Sequence, residues 1–122
     1  MKKWQILGWL ALFSTATYAD NCENPRNTYD DIYCVNKIFA SADSDLNKSY
    51  KELRQYLSND QKTILKRSQV AWIKDRDINC SSESKGAVYV NCNTEKTIER
   101  NAWLRERIRE CKTIGCKTNS LR

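Results

Sequence analysis

The sequence predicts an all-α fold, a small disulfide-stapled bundle of three principal helices with one irregular Cys-bridged loop. Apolar side chains recur at steps of three and four residues along three segments, which is the period of an amphipathic helix. The 122 residues include only one proline and three glycines, too few for the many turns of a β fold. Six cysteines provide the covalent staples that so small a core needs.

The first 19 residues have the composition of an export signal. Lys2 and Lys3 precede an apolar run over residues 6–13, and small residues then lead to Ala19. The run is far shorter than the ~20 residues of a membrane-spanning helix. We expect cleavage near Ala19, leaving a single soluble domain over residues 20–122 that is periplasmic or secreted.

The charge balance narrows the class of partner. The chain has 21 Lys+Arg and 15 Asp+Glu, a net charge of +6, which removal of Lys2 and Lys3 lowers to about +4. Export argues against nucleic acid as a partner. A basic surface favours anionic lipid head groups or acidic cell-wall polymers, whereas mixed charges of this size are typical of an ordinary solvated surface.

The apolar pattern places the first helix at about Thr28–Leu57. Ser58 and Gln61 match a capping box, in which each side chain binds the other residue's backbone amide. They predict a second helix at about Asn59–Asn79. Its predicted buried residues are Ile64, Leu65, Ser68, Ala71, Trp72 and Ile78.

Serines and Gly86 interrupt the helical pattern between Ser81 and Asn93. Within this stretch we expect residues 87–90 to form a short extended piece. A third helix follows at about Thr94–Ile114. Its predicted buried residues are Ile98, Leu104 and Ile108.

An even number of cysteines in a short exported chain indicates three disulfides, and fifteen pairings are possible. A left-handed Gly115 at the end of the third helix would bring Cys111 and Cys116 together in a Schellman motif. The expected disulfides are Cys22–Cys34, Cys80–Cys92 and Cys111–Cys116. Because the chain has no histidine and no Cys-x-x-Cys pair, we predict neither a metal site nor a cofactor.

The sequence argues against catalysis. It lacks histidine, the usual general base, and has no Gly-x-Ser-x-Gly elbow or phosphate-binding glycine loop. Two carboxylate pairs, Asp43 with Asp45 and Asp75 with Asp77, are spaced two residues apart. Such pairs point to different sides of a helix, so we predict that the protein is not an enzyme.

Polar residues lie at helical spacing on two facing segments. Asp43 and Asn47 share one face of the first helix, and Trp72 and Arg76 share one face of the second. Packing these faces together would bring Arg76 close to Asp43 or Asn47. A buried guanidinium requires such a partner, so we interpret this cluster as structural rather than as a ligand site.

The third helix carries many arginines interleaved with glutamates, which indicates a solvent face laced with salt bridges. The arginines are Arg100, Arg105, Arg107 and Arg109. Trp103 lies off the apolar stripe and is expected to be exposed. Since tryptophan is enriched at binding hot spots, we predict that Trp103 contacts a partner.

Three runs resemble the signature stretches of the LprI-like family of bacterial secreted proteins. The first is Asp43-x-x-Leu46-Asn47-x-x-Tyr50, and the second is Gln69-x-x-Trp72-x-x-x-Arg76-Asp77-x-x-Cys80. The third comprises Cys92 and Thr97-x-x-Arg100-x-x-x-Leu104, and the segment of Cys22 and Cys34 resembles the family's lead-in. The Cys111–Cys116 pair and the missing lipid-attachment signal depart from the pattern.

The resemblance implies a helical, disulfide-bonded envelope protein that inhibits lysozyme. An inhibitor needs a protruding group to enter a cleft whose chemistry depends on two carboxylates. The Cys-bridged loop offers Ser84, Lys85 and Tyr89, although the same loop is also typical of a solvated connection. Two other functions stay open: an immunity protein that neutralises a periplasmic toxin, and an envelope adaptor without inhibitory activity.

Overall fold

The computed structural model describes residues 22, 24, 26–81 and 87–122, and these residues form helices and no strand. The elements are α1 (Thr28–Arg54), α2 (Asn59–Ser81), α3 (Ala87–Thr113) and a short 3₁₀ helix (Thr118–Leu121). The predicted all-α fold of three principal helices is therefore confirmed. The export signal and residues 82–86 of the predicted loop lie outside the described residues.

The ends of α1 and the start of α2 follow local hydrogen-bond chemistry. The Asn27 side chain caps α1 by accepting a hydrogen bond from the Asp30 amide at 2.8 Å. The predicted capping box of α2 is confirmed: the Ser58 amide donates to Gln61 Oε1 (3.0 Å), and the Gln61 amide donates to Ser58 Oγ (3.2 Å). α1 ends at Arg54, three residues before the predicted end, because the Gln55 amide turns back to the Glu52 carbonyl.

α3 begins at Ala87, so the extended piece predicted at residues 87–90 is wrong. Two side chains that often compete with helix formation instead complete the first turns. Asn93 Nδ2 donates to the Tyr89 carbonyl and Thr94 Oγ1 to the Val90 carbonyl, both at 2.9 Å. The Cys80–Cys92 disulfide ties this segment to the end of α2.

α1 and α3 run parallel and pack closely along their length, while α2 runs antiparallel to both and contacts α3 and the 3₁₀ helix. The core lies where the ends of α1 and α3 meet the start of α2. It consists of Leu46, Leu53, Leu57, Leu65, Leu104, Ile108 and Leu121. Since α1 and α2 make few direct contacts, grooves remain open between them.

Three residues predicted to be buried are exposed: Ile78 (67%), Ile98 (56%) and Ala71. Ile98 follows the fully buried Thr97 by one residue, which rotates it by ~100° around the helix. Thr97 takes the interior position because its hydroxyl donates to the Asn93 carbonyl at 2.7 Å. The inward face of α3 is thus partly polar. A prediction from the spacing of aliphatic residues alone therefore put Ile98 on that face instead of Thr97.

Three disulfides join the pairs that the sequence analysis expects: Cys22–Cys34, Cys80–Cys92 and Cys111–Cys116. Gly115 has the predicted left-handed conformation, with φ +97°. Its amide donates to the Glu110 carbonyl, five residues back, at 2.9 Å. This five-residue bond is donated by Gly115 rather than by the residue after it, one position earlier than in the predicted Schellman motif, while Cys111 and Cys116 still meet.

Candidate functional site

A groove of about 300 Å³ lies between α1 and α2 and collects most of the predicted structural cluster. Its walls include seven residues of the runs that resemble the family signature, namely Asp43, Leu46, Asn47, Tyr50, Gln69, Trp72 and Arg76. Lys66, Val70 and Ile73 complete the lining. Two further residues of the signature runs, Asp77 and Arg100, bond to Arg76 and Gln69 of this groove.

Arg76 is the most buried cation of the groove, with only 13% of its side chain exposed. Its Nε donates to Asp77 Oδ1 at 3.1 Å, and its Nη1 donates to Thr97 Oγ1 at 3.4 Å. The predicted partners, Asp43 and Asn47, are wrong: Asn47 Nδ2 donates to Asp43 Oδ2 at 3.4 Å instead. While paired with Asp77, the Arg76 guanidinium also lies over the Trp72 ring, 5.1 Å from its centroid.

Arg100 does not belong to the predicted solvent face. It is half-buried, and its Nε donates to Gln69 Oε1 at 2.9 Å while its Nη2 donates to Ser68 Oγ at 2.8 Å. Burial lowers the pKa of Arg100 to about 10, because desolvation disfavours the charged form. The pKa stays well above neutral pH, so the group remains a cation with uncharged hydrogen-bond partners.

Arginine and aromatic side chains alternate across the three helices in what we call the arginine–aromatic column. Guanidinium carbons lie 3.8–5.8 Å from the centroids of the adjacent rings, within the range of cation–π attraction. In order, the column runs Phe39, Arg76, Trp72, Arg100, Trp103 and Arg107. It joins α1 to α2 and α2 to α3.

Four members or partners of this arrangement were not predicted to belong to it: Phe39, Ser68, Thr97 and Arg107. The sequence does contain a pattern that indicates part of the arginine–aromatic column. Gln69, Trp72 and Arg76 are spaced i, i+3, i+7, and Arg100, Trp103 and Arg107 repeat that spacing. Each set therefore follows one helix face, with a ring placed between two polar groups.

Trp103, predicted to be exposed, is half-buried and packs against the hydrophobic core. Its ring lies between Arg100, 3.8 Å from the centroid, and Arg107, at 5.3 Å. Trp103 does not fit the spacing of the aliphatic residues of α3, and arginine side chains rather than leucines cover the two faces of its ring. The geometry indicates a packing role for Trp103.

The other arginines of α3 form salt bridges, but the predicted solvent face is wrong for Arg107, whose side chain is only 17% exposed. Arg107 pairs with Glu110 at 3.0 Å, and Arg109 pairs with Glu106. Arg105 reaches Glu52 and so connects α3 to α1.

A second groove, of about 240 Å³, lies at the end of the bundle where α1 and α3 begin. Tyr89, a predicted contact residue, lines it and is 39% exposed. The wall opposite includes Asn36 and Phe39 of α1, with Arg76 and Asp77 between. Ser84 and Lys85 lie outside the described residues, in the segment that connects α2 to Tyr89's helix.

The family of the chain follows from a comparison with protein-family models. The model described as "Lysozyme inhibitor LprI" matches residues 19–104. The chain belongs to the LprI family. The match includes α1, α2 and most of α3, and therefore all but the last member of the arginine–aromatic column. Comparisons with curated protein sequences and with solved structures gave no match.

Within the described residues of this LprI protein, no helix has an apolar stretch long enough to cross a bilayer. The signature residues Gln69, Trp72, Arg76 and Arg100 bind one another or the interior face of α3. Their chemistry is that of internal packing. Among the described residues, the surfaces that remain available to a partner are the grooves and the outer helix faces.

Proposed function

We propose that this LprI protein is exported, binds lysozyme and blocks the cleft of that enzyme without catalysing a reaction itself. The observation that carries the proposal is the family match over residues 19–104. Three disulfides in a short chain support export, because disulfides persist in oxidising compartments.

The segment between Cys80 and Cys92, which includes the first turn of α3, is the contact that we propose. The Cα atoms of these cysteines lie 5.6 Å apart, so the disulfide restrains the loop at its base. A restrained loop loses less conformational entropy on binding than a free one. In this proposal Lys85 approaches the two carboxylates of the lysozyme cleft, Ser84 donates a hydrogen bond, and Tyr89 lies against a sugar subsite.

A cell-wall lysis assay tests the proposal. The exported protein, purified with its disulfides intact, is titrated against animal-type and bacteriophage-type lysozymes. We expect dose-dependent inhibition that disappears when the disulfides are reduced. Lys85→Ala should weaken inhibition, whereas Lys48→Ala, an exposed lysine of α1, should leave it unchanged.

Absence of inhibition at a large molar excess would reject lysozyme as the target. The fold and the family would stand, and a periplasmic toxin would become the partner to test. An immunity protein should then bind one cognate toxin tightly.

One observation favours the envelope-adaptor function as a second candidate. Lys66, Arg67 and Lys74 line a shallow basic surface along α2, around Val70 and Ala71. No carboxylate of the described residues pairs with these three cations. An adaptor should co-sediment with anionic cell-wall material at low salt and be released at high salt, and replacing the three cations with glutamine should abolish this binding.

A further inference from the structure

The groove between α1 and α2 contains a buried polar side chain that the fold leaves partly without a partner. Gln69 lines this groove and is only 8% exposed. Its Oε1 accepts a hydrogen bond from Arg100 Nε at 2.9 Å, whereas its Nε2 donates to no group in the described part of the chain. Among those same residues, the unpaired side-chain atoms that are fully enclosed belong to Asn101 and Arg107. The Gln69 Nε2 is therefore open to the groove.

An unpaired donor at this depth favours a bound acceptor. A buried N–H without a hydrogen bond has lost the water that it binds in the unfolded chain, and an acceptor in the groove restores that bond. The bond from Arg100 to Oε1 polarises the Gln69 amide, so its Nε2 becomes a stronger donor. The floor of the groove therefore suits a carbonyl or carboxylate oxygen of a ligand.

The two ends of the groove carry opposite charges. Because α2 runs antiparallel to α1, Asp43 lies at one end of the groove and Lys66 lies at the other. Asp43 accepts a hydrogen bond from Asn47 at 3.4 Å, but neither Asp43 nor Lys66 forms a salt bridge within the described residues. The charge of Arg76, a third charged residue of the lining, is matched by Asp77 at 3.1 Å. A ligand that pairs with both ends carries a positive and a negative group.

The length of the groove determines the size of this ligand. The α1 residues of the lining run from Asp43 to Tyr50, and seven residues rise ~10 Å along a helix. An extended peptide advances ~3.5 Å per residue. About three residues therefore bring an amino group and a carboxylate to the two ends, whereas a single amino acid is too short to reach both.

The lining between the charged ends is apolar and partly open to solvent. Val70 is 43% exposed and Ile73 is 37% exposed, and α1 contributes Leu46 and Tyr50. Covering apolar surface of this kind is favourable. The side chains of a peptide that fits here are therefore small and apolar.

We propose that the groove between α1 and α2 binds a short peptide of about three small apolar residues with free ends. The amino group pairs with Asp43, the carboxylate pairs with Lys66, and a backbone carbonyl between them accepts a hydrogen bond from Gln69 Nε2. The site does not depend on lysozyme inhibition, so failure of either proposal leaves the other standing.

Calorimetric titration of the oxidised, exported protein with trialanine tests the site. Two matched probes each lack one charge: N-acetyl-trialanine and trialanine amide. We expect trialanine to bind, and each blocked peptide to bind about fivefold more weakly, the effect of losing one solvent-accessible ion pair. Absence of trialanine binding at millimolar concentration, or equal affinity for the three peptides, would overturn the proposal.

Gln69→Glu separates ligand binding from folding. Glutamate keeps an oxygen for Arg100 and removes the N–H donor that faces the groove. The variant should therefore be as stable as wild type in urea titration, while it binds trialanine about tenfold more weakly. Unchanged trialanine binding in this variant would overturn the role of Gln69 as the donor.

Charge substitutions at the two ends have matched controls on α1. Asp43→Asn should weaken trialanine binding about fivefold but leave N-acetyl-trialanine binding unchanged, because that probe has no amino group to lose. Lys66→Gln should have the same selective effect with respect to trialanine amide. Asp45→Asn and Lys48→Gln, at exposed positions outside the groove, should change no affinity. Equal losses for blocked and free peptides would contradict the assigned ends.

Discussion

Arg100 shows how a single side chain holds this small core together. Its guanidinium lies 3.8 Å from the centroid of Trp103 and 5.8 Å from that of Trp72, and it bonds Gln69 and Ser68. Burial disfavours its charge, as the lowered pKa of about 10 indicates. The faces of the two tryptophan rings and the oxygen acceptors of Gln69 and Ser68 offset the desolvation cost of the buried charge. Only a planar side chain with several N–H donors can make all of these contacts at once.

Arg100→Lys should therefore lower the free energy of unfolding by about 1–2 kcal/mol. A lysine keeps the charge but cannot stack on Trp103 and reach both acceptors together. Denaturant titration of the oxidised protein measures the loss. Arg67→Lys, on the exposed face of α2, is the control and should change stability by less than ~0.5 kcal/mol; equal losses in the two variants would contradict the role of Arg100.

Trp103→Ala distinguishes packing from partner binding. Because the ring packs against the core and between two guanidinium groups, we expect a loss of about 3 kcal/mol of stability. Thermal and urea unfolding measure it, with Tyr56→Ala as the exposed aromatic control. A variant of unchanged stability that binds its partner weakly would instead support the exposed hot spot predicted from the sequence.

At the scale of the helices, predictions succeeded where the deciding interactions are local. The Ser58–Gln61 capping box and the left-handed Gly115 depend on residues a few positions apart, so the sequence shows them directly. The start of α3 could not be predicted in this way. Tyr89 and Val90 have high β propensity, whereas the constraint that acts on this segment is tertiary, a disulfide to α2.

Gly115→Ala tests the left-handed end of α3. Nothing lies within 4 Å of the Cβ that the substitution adds, so the cost comes from the positive φ alone. We expect a loss of about 1 kcal/mol in unfolding free energy, measured by urea titration. Gly115→Asn should lose less, since asparagine tolerates the left-handed region better, and an alanine variant as stable as wild type would contradict the conformation.

At the scale of the molecule, the sequence predicted the three helices and their disulfides but not how the cations divide among the surfaces. Net charge counts all cations equally, although they differ in exposure. Arg76 and Arg100 are half-buried in the arginine–aromatic column, whereas three cations of α2 are exposed to solvent: Lys66, Arg67 and Lys74. The candidate site was only partly predictable from the sequence. Helical spacing grouped Asp43, Asn47, Trp72 and Arg76, but only the packing angle of the helices determines which of them touch.

The two ends of the bundle should respond differently to loss of a disulfide. Cys80→Ser with Cys92→Ser should cost about 3 kcal/mol of stability, the value for a loop of this size, and should also weaken lysozyme inhibition because the loop loses its restraint. Cys111→Ser with Cys116→Ser should cost about 2 kcal/mol and leave inhibition intact, because that pair lies at the opposite end. Unfolding titrations and lysis assays on both variants check this; equal effects on inhibition would contradict a contact at the loop end.

Competition for the lysozyme cleft is the most direct test of the central claim. A short chitin oligosaccharide that occupies the cleft is titrated into the complex of oxidised protein and animal-type lysozyme, and bound lysozyme is measured by calorimetry. Mutually exclusive binding, with complete inhibition at one protein per enzyme, is the result that the proposed mechanism predicts. Simultaneous binding of oligosaccharide and protein would show that the protein does not occlude the cleft and would contradict the proposal.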